Sequence, residues 1–142
     1  MKRRVALYIT LSAVLLLMAG SAAAQSDDRT RVFSAPVDRV WVVARSTLKS
    51  LGWGVDTEDR EVGWIRTDSR RLEGEDYGVY SKGAKHRLRV VIKPQSGSRT
   101  AVTVERRVWK EERILWMDKE EELPTTDHTV EKQFLDDLGK SL

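Results

Sequence analysis

Two neighbouring runs in the middle of the chain alternate between apolar and charged side chains, and this pattern restricts the fold more than any other feature. The first run spans Lys85 to Lys93 and the second spans Arg99 to Trp109, with a turn-forming segment, Pro94 to Ser98, between them. Alternation with a period of two residues is typical of β-strands with one buried face. The sequence therefore predicts an antiparallel hairpin whose inward side chains are His86, Leu88, Val90, Ile92, Val102, Val104 and Val108.

One amphipathic helix is predicted on each side of these strands. Pro36 suits a first helical turn, and Gly52 suits the left-handed conformation that ends a helix. Between them, apolar residues recur at helical spacing at Val37, Val40, Trp41, Ala44, Leu48 and Leu51. The second helix begins after the N-cap residue Asp127, and its apolar stripe consists of Val130, Phe134, Leu135, Leu138 and Leu142.

Shorter strands complete the predicted fold. They lie at Thr30 to Ser34, Trp53 to Thr57 and Val62 to Thr67. Residues 68–83 are polar and glycine-containing, so they are predicted to form a long loop. Residues 111–123 fit either a further strand or a covering loop. The resulting order, β-α-β-β-β-β-α, predicts an α+β domain in which an antiparallel β-sheet is packed by two helices.

Residues 1–24 have the three parts of a secretory signal peptide. A basic start is followed by an apolar run from Val5 to Met18, and Ala22 to Ala24 supply small residues for a signal peptidase. We expect cleavage after Ala24, a periplasmic location and one mature domain over residues 25–142. The alternative is an uncleaved membrane anchor.

The segment from Met18 to Ser21 resembles the lipobox of bacterial lipoproteins, with serine where the acylated cysteine would stand. Because serine has no thiol to carry the lipid, we expect no covalent lipid anchor. Two explanations of Ser21 stay open: small residues crowd any cleavage region, or the chain descends from a lipid-anchored ancestor.

Charge and cysteine content exclude several classes of function. Of 25 basic residues, Lys2, Arg3 and Arg4 fall in the predicted signal peptide, which leaves 22 basic against 22 acidic residues. A neutral mature domain argues against a nucleic-acid partner, which favours a basic protein. The chain has no cysteine and two histidines, so disulfides, cysteine-ligated zinc and three-histidine metal sites are excluded. We expect no metal and no cofactor.

Three segments, Val32 to Trp41, Leu48 to Trp53 and Gly63 to Asp68, resemble the BamC-like (NlpB/DapX) family of envelope proteins. The segment from His86 to Ile92 and the closing helix continue the likeness over most of residues 30–142. These proteins use a helix-grip fold, in which a sheet curls around a long helix, and they are accessory components of the machinery that inserts β-barrels into the outer membrane. The resemblance implies a helix-grip-like domain with an envelope or outer-membrane assembly protein as its partner.

No catalytic motif is present, and we expect no enzymatic activity. His86 lies on the apolar side of its strand, which favours a buried structural histidine over a general base. His128 falls in the first turn of the last helix, where a solvated role is expected.

The candidate contact residues are basic and aromatic. Residues 82–107 are strongly basic and residues 111–137 strongly acidic. This pattern fits a sheet face neutralised within the fold, or a basic surface that meets an acidic partner or anionic lipid headgroups. Trp53 and Trp64 are predicted to stack across neighbouring strands, and Trp109 to be exposed beside Arg107. The predicted partner or ligand contacts are Trp53, Trp64, Trp109, Trp116, Arg87, Arg89 and Arg107.

Two functions follow as expectations. The first is an exported, non-enzymatic domain that works by protein–protein contact, through a groove between helix and sheet or an exposed strand edge. The second is a carrier that holds a small hydrophobic molecule or lipid in a cavity between helix and sheet. Peripheral contact with a membrane is compatible with either.

Overall fold

The computed structural model describes residues 27–142. The predicted signal peptide, its cleavage after Ala24 and the lipobox-like segment lie outside the described residues.

Over residues 27–142 the chain forms seven strands and two helices in the order β-α-β-β-β-β-β-β-α, an α+β fold. The strands are β1 (Thr30–Phe33), β2 (Val55–Asp59), β3 (Trp64–Thr67), β4 (Arg70–Asp76), β5 (Tyr80–Gln95), β6 (Arg99–Ile114) and β7 (Met117–Leu123). The helices are α1 (Val37–Ser50) and α2 (Thr129–Ser141).

All the strands belong to one antiparallel sheet built on the hairpin of β5 and β6. These two strands pair along their whole length, from Tyr80 opposite Ile114 to Gln95 opposite Arg99. β3 and β1 flank one half of the hairpin, and β2 lies outside β3. We call this half, with both helices, the body. In the other half of the hairpin, β4 pairs with β5 and β7 pairs with β6. We call these four paired segments the extension.

The hydrophobic core lies between the helices and one face of the body. Leu48 of α1 and Phe134 of α2 are fully buried against Leu88 and Val104 of the sheet. Burying side chains of this size contributes roughly 1.5–3 kcal/mol each. The core cluster contains no residue of β4 or β7, so the packing energy is concentrated in the body.

Both helices match the predicted stripes. The buried apolar residues of α1 are Val40, Trp41, Ala44 and Leu48, and Gly52 follows the helix with a φ of 78°. Those of α2 are Phe134, Leu135 and Leu138. The predicted N-cap Asp127 is wrong by one residue, because the N-cap of α2 is His128, which makes no capping hydrogen bond through its side chain. The Asp127 carboxylate accepts a hydrogen bond from the Thr129 N–H at 2.9 Å just ahead of the helix.

The predicted loop over residues 68–83 is wrong. Most of this segment forms β4 and the start of β5, with Gly74 opposite Gly83. The glycines that indicated a loop allow close approach instead, because a Cβ on Gly74 would collide with the backbone of Lys82. The sequence left residues 111–123 open between a further strand and a covering loop. The structure shows strands, because β6 continues to Ile114 and β7 pairs back along it.

Candidate functional site

The face of the sheet opposite the helices carries a cluster of arginines and tryptophans. Side chains of directly paired residues in antiparallel strands lie on the same side. The register places Arg66 opposite Arg89, and Arg87 opposite Arg107. No element of residues 27–142 packs over this side of the sheet. We call the cluster the arginine face, and its residues are Trp64, Arg66, Arg87, Arg89, Arg107 and Trp109.

Three of these arginines form ion pairs within the fold. Arg66 lies 2.7 Å from Asp56, and this hydrogen bond lowers the pKa of the Asp56 carboxyl below its usual value. Arg89 lies 3.8 Å from Glu105 on the paired strand. Arg107 lies 3.2 Å from Glu122, which belongs to the acidic strand β7. The acidic segment therefore neutralises part of the basic strands, as the first of the two charge interpretations expected.

Arg87 differs from its neighbours because its guanidinium has no ion pair among residues 27–142. Its charge lies instead 5.6 Å from the centre of the Trp109 ring, and Arg107 lies 5.7 Å from the same ring. A cation over an indole face is attracted by the ring quadrupole. Arg87 is thus held over the ring without a direct ion pair, and its charge helps to lower the pKa of the nearby Asp56 carboxyl.

The predicted exposure of Trp109 is wrong. Its indole is only 7% exposed, since the two arginines cover it. The indole N–H has no hydrogen-bond partner in the described part of the chain. Trp109 therefore supports the arginine side chains from beneath and presents little surface of its own.

Two shallow grooves cross the arginine face on either side of Arg87. One has a volume of about 530 Å³ and the other about 370 Å³. Arg87 lines both. The remaining groove walls include Trp64, Arg89, Arg107, Glu105, Glu122, Asp56 and Glu120. The groove walls therefore carry carboxylates as well as arginines.

The other two predicted contact tryptophans lie away from this face. Trp53 precedes β2, is 4% exposed, and packs against the His86 ring with 4.9 Å between centroids. It belongs to the core side of the sheet, whereas Trp64 contacts Arg89 on the arginine face. The predicted stacking of Trp53 on Trp64 is therefore wrong. Trp116 lies in the turn between β6 and β7 and is 85% exposed.

A cluster of buried polar side chains lies on the side of the sheet that faces the helices. It contains a histidine and a carboxylate, the residue types that can act as general acids or bases. His86 is buried, and its Nδ1 lies 3.4 Å from the Arg106 guanidinium. Burial lowers the pKa of His86 below its usual value, and the charges of Arg106 and Arg70 lower it further. The buried Glu131 carboxylate lies 3.8 Å from Arg106 and 3.4 Å from His128.

This cluster holds an ion pair and a neutral imidazole. A general base of the His–carboxylate type needs a carboxylate beside the imidazole, and here Arg106 occupies that position. The expected structural role of His86 agrees with this placement. We expected a solvated role for His128. Its side chain is instead half-buried, and its Nδ1 lies 3.4 Å from the Glu131 carboxylate.

Sequence reasoning missed two contributors to these clusters. Arg66 joins the arginine face only through the pairing of β3 with β5, which a single strand pattern does not reveal. Glu131 is 1% exposed on the inner side of α2, where an apolar residue is the usual choice. Its position between Val130 and Phe134 in the apolar stripe was the available signal.

Two further features bear on the site. Residues 27–142 contain no group of three or more histidine or carboxylate side chains placed to bind a metal ion. Neither helix in this part of the chain has the length and apolar character needed to cross a bilayer.

Comparison with known proteins leaves the family open. The chain matches no model of a protein family. A search of curated proteins finds no match for it either.

Proposed function

We propose that this protein is a non-enzymatic interaction domain whose arginine face binds an acidic segment of a partner protein. The observation that carries the proposal is the position of the Arg87 guanidinium, which makes no direct ion pair within residues 27–142 and lies over Trp109 between two grooves on the open side of the sheet. A partner carboxylate there would form a charge-assisted hydrogen bond with Arg87, which no carboxylate of residues 27–142 does.

The neighbouring ion pairs do not prevent such binding. The side chains of Arg89 and Glu105 are 51% and 53% exposed, and those of Arg107 and Glu122 are 46% and 61% exposed. Exposed pairs of this kind are worth about 0–1 kcal/mol. A partner carboxylate can therefore exchange with Glu105 or Glu122 at little cost.

The wider setting of this function rests on the resemblance to the BamC-like family. We propose that the domain is helix-grip-like, that residues 1–24 direct its export to the periplasm, and that its partner belongs to the envelope or outer-membrane assembly machinery. Two helices packed on one side of an antiparallel sheet are compatible with that fold. The carrier function has less support, since Leu48 and Phe134 help to fill the space between helices and sheet.

Photo-crosslinking in the expressing cell tests the proposal. A photoreactive residue is placed at Arg89 on the arginine face, and at Val42, which is 63% exposed on the outer side of α1. We expect position 89 to give an adduct with one envelope protein, and the crosslinked peptide to be acidic. Position 42 should not give this adduct.

Charge reversal supplies the specificity control. Arg87→Glu with Arg107→Glu should abolish the adduct from position 89. Arg45→Glu with Arg60→Glu reverses two other exposed arginines and should leave it intact. An adduct that survives the first pair of substitutions, or that is lost equally with both pairs, overturns the proposed role of the arginine face. Mapping the adduct to a cytoplasmic protein overturns the envelope setting.

A further inference from the structure

The far end of the extension carries an exposed apolar cluster that the arginine face does not explain. The turn between β4 and β5 and the turn between β6 and β7 lie side by side there. Trp116 is 85% exposed at the end of the second turn. We call this cluster the tip, and its residues are Tyr77, Val79, Tyr80, Ile114, Leu115, Trp116 and Met117, all of them more than 40% exposed.

The tip is a continuous feature with ordered contacts between its two turns. The Leu115 N–H donates a hydrogen bond of 2.7 Å to the Val79 carbonyl oxygen, which joins the turns. Within the first turn, the Tyr77 N–H donates to the Tyr80 carbonyl oxygen at 2.8 Å. Contiguous exposed apolar surface of this kind marks an interaction site.

These backbone contacts make the tip compatible with a lipid phase. A lipid phase offers no hydrogen bonds, so a segment can enter it only when its backbone polar groups are satisfied within the protein. The amides of Tyr77, Val79 and Leu115 already donate to carbonyl oxygens within the tip. The tip also lies at the end of the extension that is remote from the helices. A groove of about 650 Å³ opens beside it, but apart from Tyr80 its lining consists of charged residues and glycines, so the apolar side chains of the tip do not form its walls.

The side chains have the composition of a membrane–water interface. Trp116, Tyr77 and Tyr80 are aromatic residues with one polar atom, a type enriched at the headgroup level of bilayers. Leu115 and its aliphatic neighbours add purely apolar surface. Leu115 has a φ of 58°, which glycine or asparagine usually adopts, so this turn keeps a large apolar residue where its backbone disfavours one.

The charge around the tip indicates which membrane it suits. Residues 70–83 and 110–123 together contain six basic and nine acidic side chains. An acidic extension is not attracted to anionic lipid, so binding must come from apolar contact. We propose that the tip inserts into the interfacial region of a phospholipid bilayer, with a preference for zwitterionic lipid. This attachment is independent of the partner proposed for the arginine face.

The absence of cysteine from the chain allows a site-specific test. Met117→Cys at the tip and Val42→Cys on α1 are each labelled with an environment-sensitive fluorophore, in protein expressed from the full sequence. The two native side chains are matched in exposure, at 62% and 63%. With phosphatidylcholine–phosphatidylethanolamine vesicles, we expect the label at 117 to become brighter and blue-shifted, and the label at 42 to stay unchanged.

Two further variants assign the signal. Leu115→Ser with Trp116→Ser should weaken the vesicle response of the label at 117 by on the order of tenfold or more, since the most exposed apolar side chain of the tip and its neighbour are lost. Arg87→Glu with Arg89→Glu should leave it unchanged. The response should also persist at about 0.5 M salt, because salt at that concentration screens electrostatic binding.

Three outcomes would overturn the inference. They are no response of the label at 117 to vesicles, an equal response at 117 and 42, and a response that survives the serine substitutions. Vesicle-independent self-association that the serine substitutions abolish would also overturn it, and would assign the tip to contact with a second copy of the chain. Because the assay contains no partner protein, its result is separate from the crosslinking test.

Discussion

His86 illustrates how a single buried side chain couples this fold to pH. The imidazole packs against Trp53 and faces the Arg106 guanidinium. Its pKa is lowered by burial, and then by the charges of Arg106 and Arg70. The folded state therefore resists protonation at pH values where an unfolded histidine accepts a proton.

The first prediction follows from the sign of this shift. Above the ordinary histidine pKa of about 6.5, both states are neutral at His86. As pH falls below that value, the unfolded state binds a proton and the folded state does not, so the free energy of unfolding decreases. We expect chemical denaturation to show this decrease between about pH 7.5 and 5.5, and His86→Asn to reduce it.

His128→Asn is the matched control, because His86 and His128 are the two imidazoles of the chain. The pH dependence should persist in that variant. If His86→Asn has the same pH dependence as the unsubstituted protein, the coupling does not arise at His86.

The free energy of unfolding depends strongly on helix α2, whose buried residues complete the hydrophobic core. Phe134 is fully buried between the helix and the sheet. Phe134→Ala should reduce the free energy of unfolding by about 3–5 kcal/mol, because it removes buried apolar surface and leaves a cavity. Lys132→Ala, on the exposed side of the same helix, should change it by less than about 0.5 kcal/mol. Urea denaturation of both variants checks this difference.

The pairing of β4 with β5 depends on two facing glycines. Gly74 has a φ of 97°, and an added Cβ would meet the Lys82 carbonyl. Gly78 has a φ of 82°, and an added Cβ would have no neighbour within 4 Å. Both alanine variants carry the backbone strain of a positive φ, about 1–2 kcal/mol, but only Gly74→Ala adds a collision.

We therefore expect Gly74→Ala to lower the melting temperature more than Gly78→Ala. It should also increase hydrogen exchange at the amides between β4 and β5. Equal melting temperatures for the two variants would show that the close approach at Gly74 is relieved without cost.

Helices and long strands were predictable because each has a local period. The stripe from Val37 to Leu51 and the alternation around Leu88 needed no knowledge of neighbours. β4 was not predictable in this way, because its glycines resemble those of a loop until Gly83 is known to face Gly74.

The site was predictable only in part for the same reason. Arg87, Arg89 and Arg107 share a face by alternation alone. The burial of Trp109 depends on guanidinium groups from two different strands, and the contribution of Arg66 depends on the register of β3 against β5. These are properties of strand pairing, which no single segment contains.

At the scale of the whole molecule, body and extension share a sheet and differ in packing. The core cluster draws on both helices and on the half of the hairpin around Val90 and Val104, while β4 and β7 contribute nothing to it. Local opening is easiest where few apolar contacts must be broken. The extension should therefore open without unfolding the body.

Native-state hydrogen exchange tests this division. Amides of residues 81–85 and 110–114 should exchange on the order of tenfold faster or more than those of Val90 and Val104. Phe134→Ala should accelerate the second group and have little effect on the first. Uniform protection along β5 and β6 would mean that the sheet opens as a single unit.

The uninterrupted pairing of β5 with β6 also sets the distance between the arginine face and the tip. The seven residue steps from Arg107 to Ile114 along β6 span ~24 Å at the rise of an antiparallel strand. With the tip in a bilayer, the hairpin acts as a spacer that holds the arginine face above the headgroups, beyond the Debye length of ~8 Å at physiological salt. Lipid charge would not reach those arginines, and they would stay available to a protein that stands above the membrane at that height.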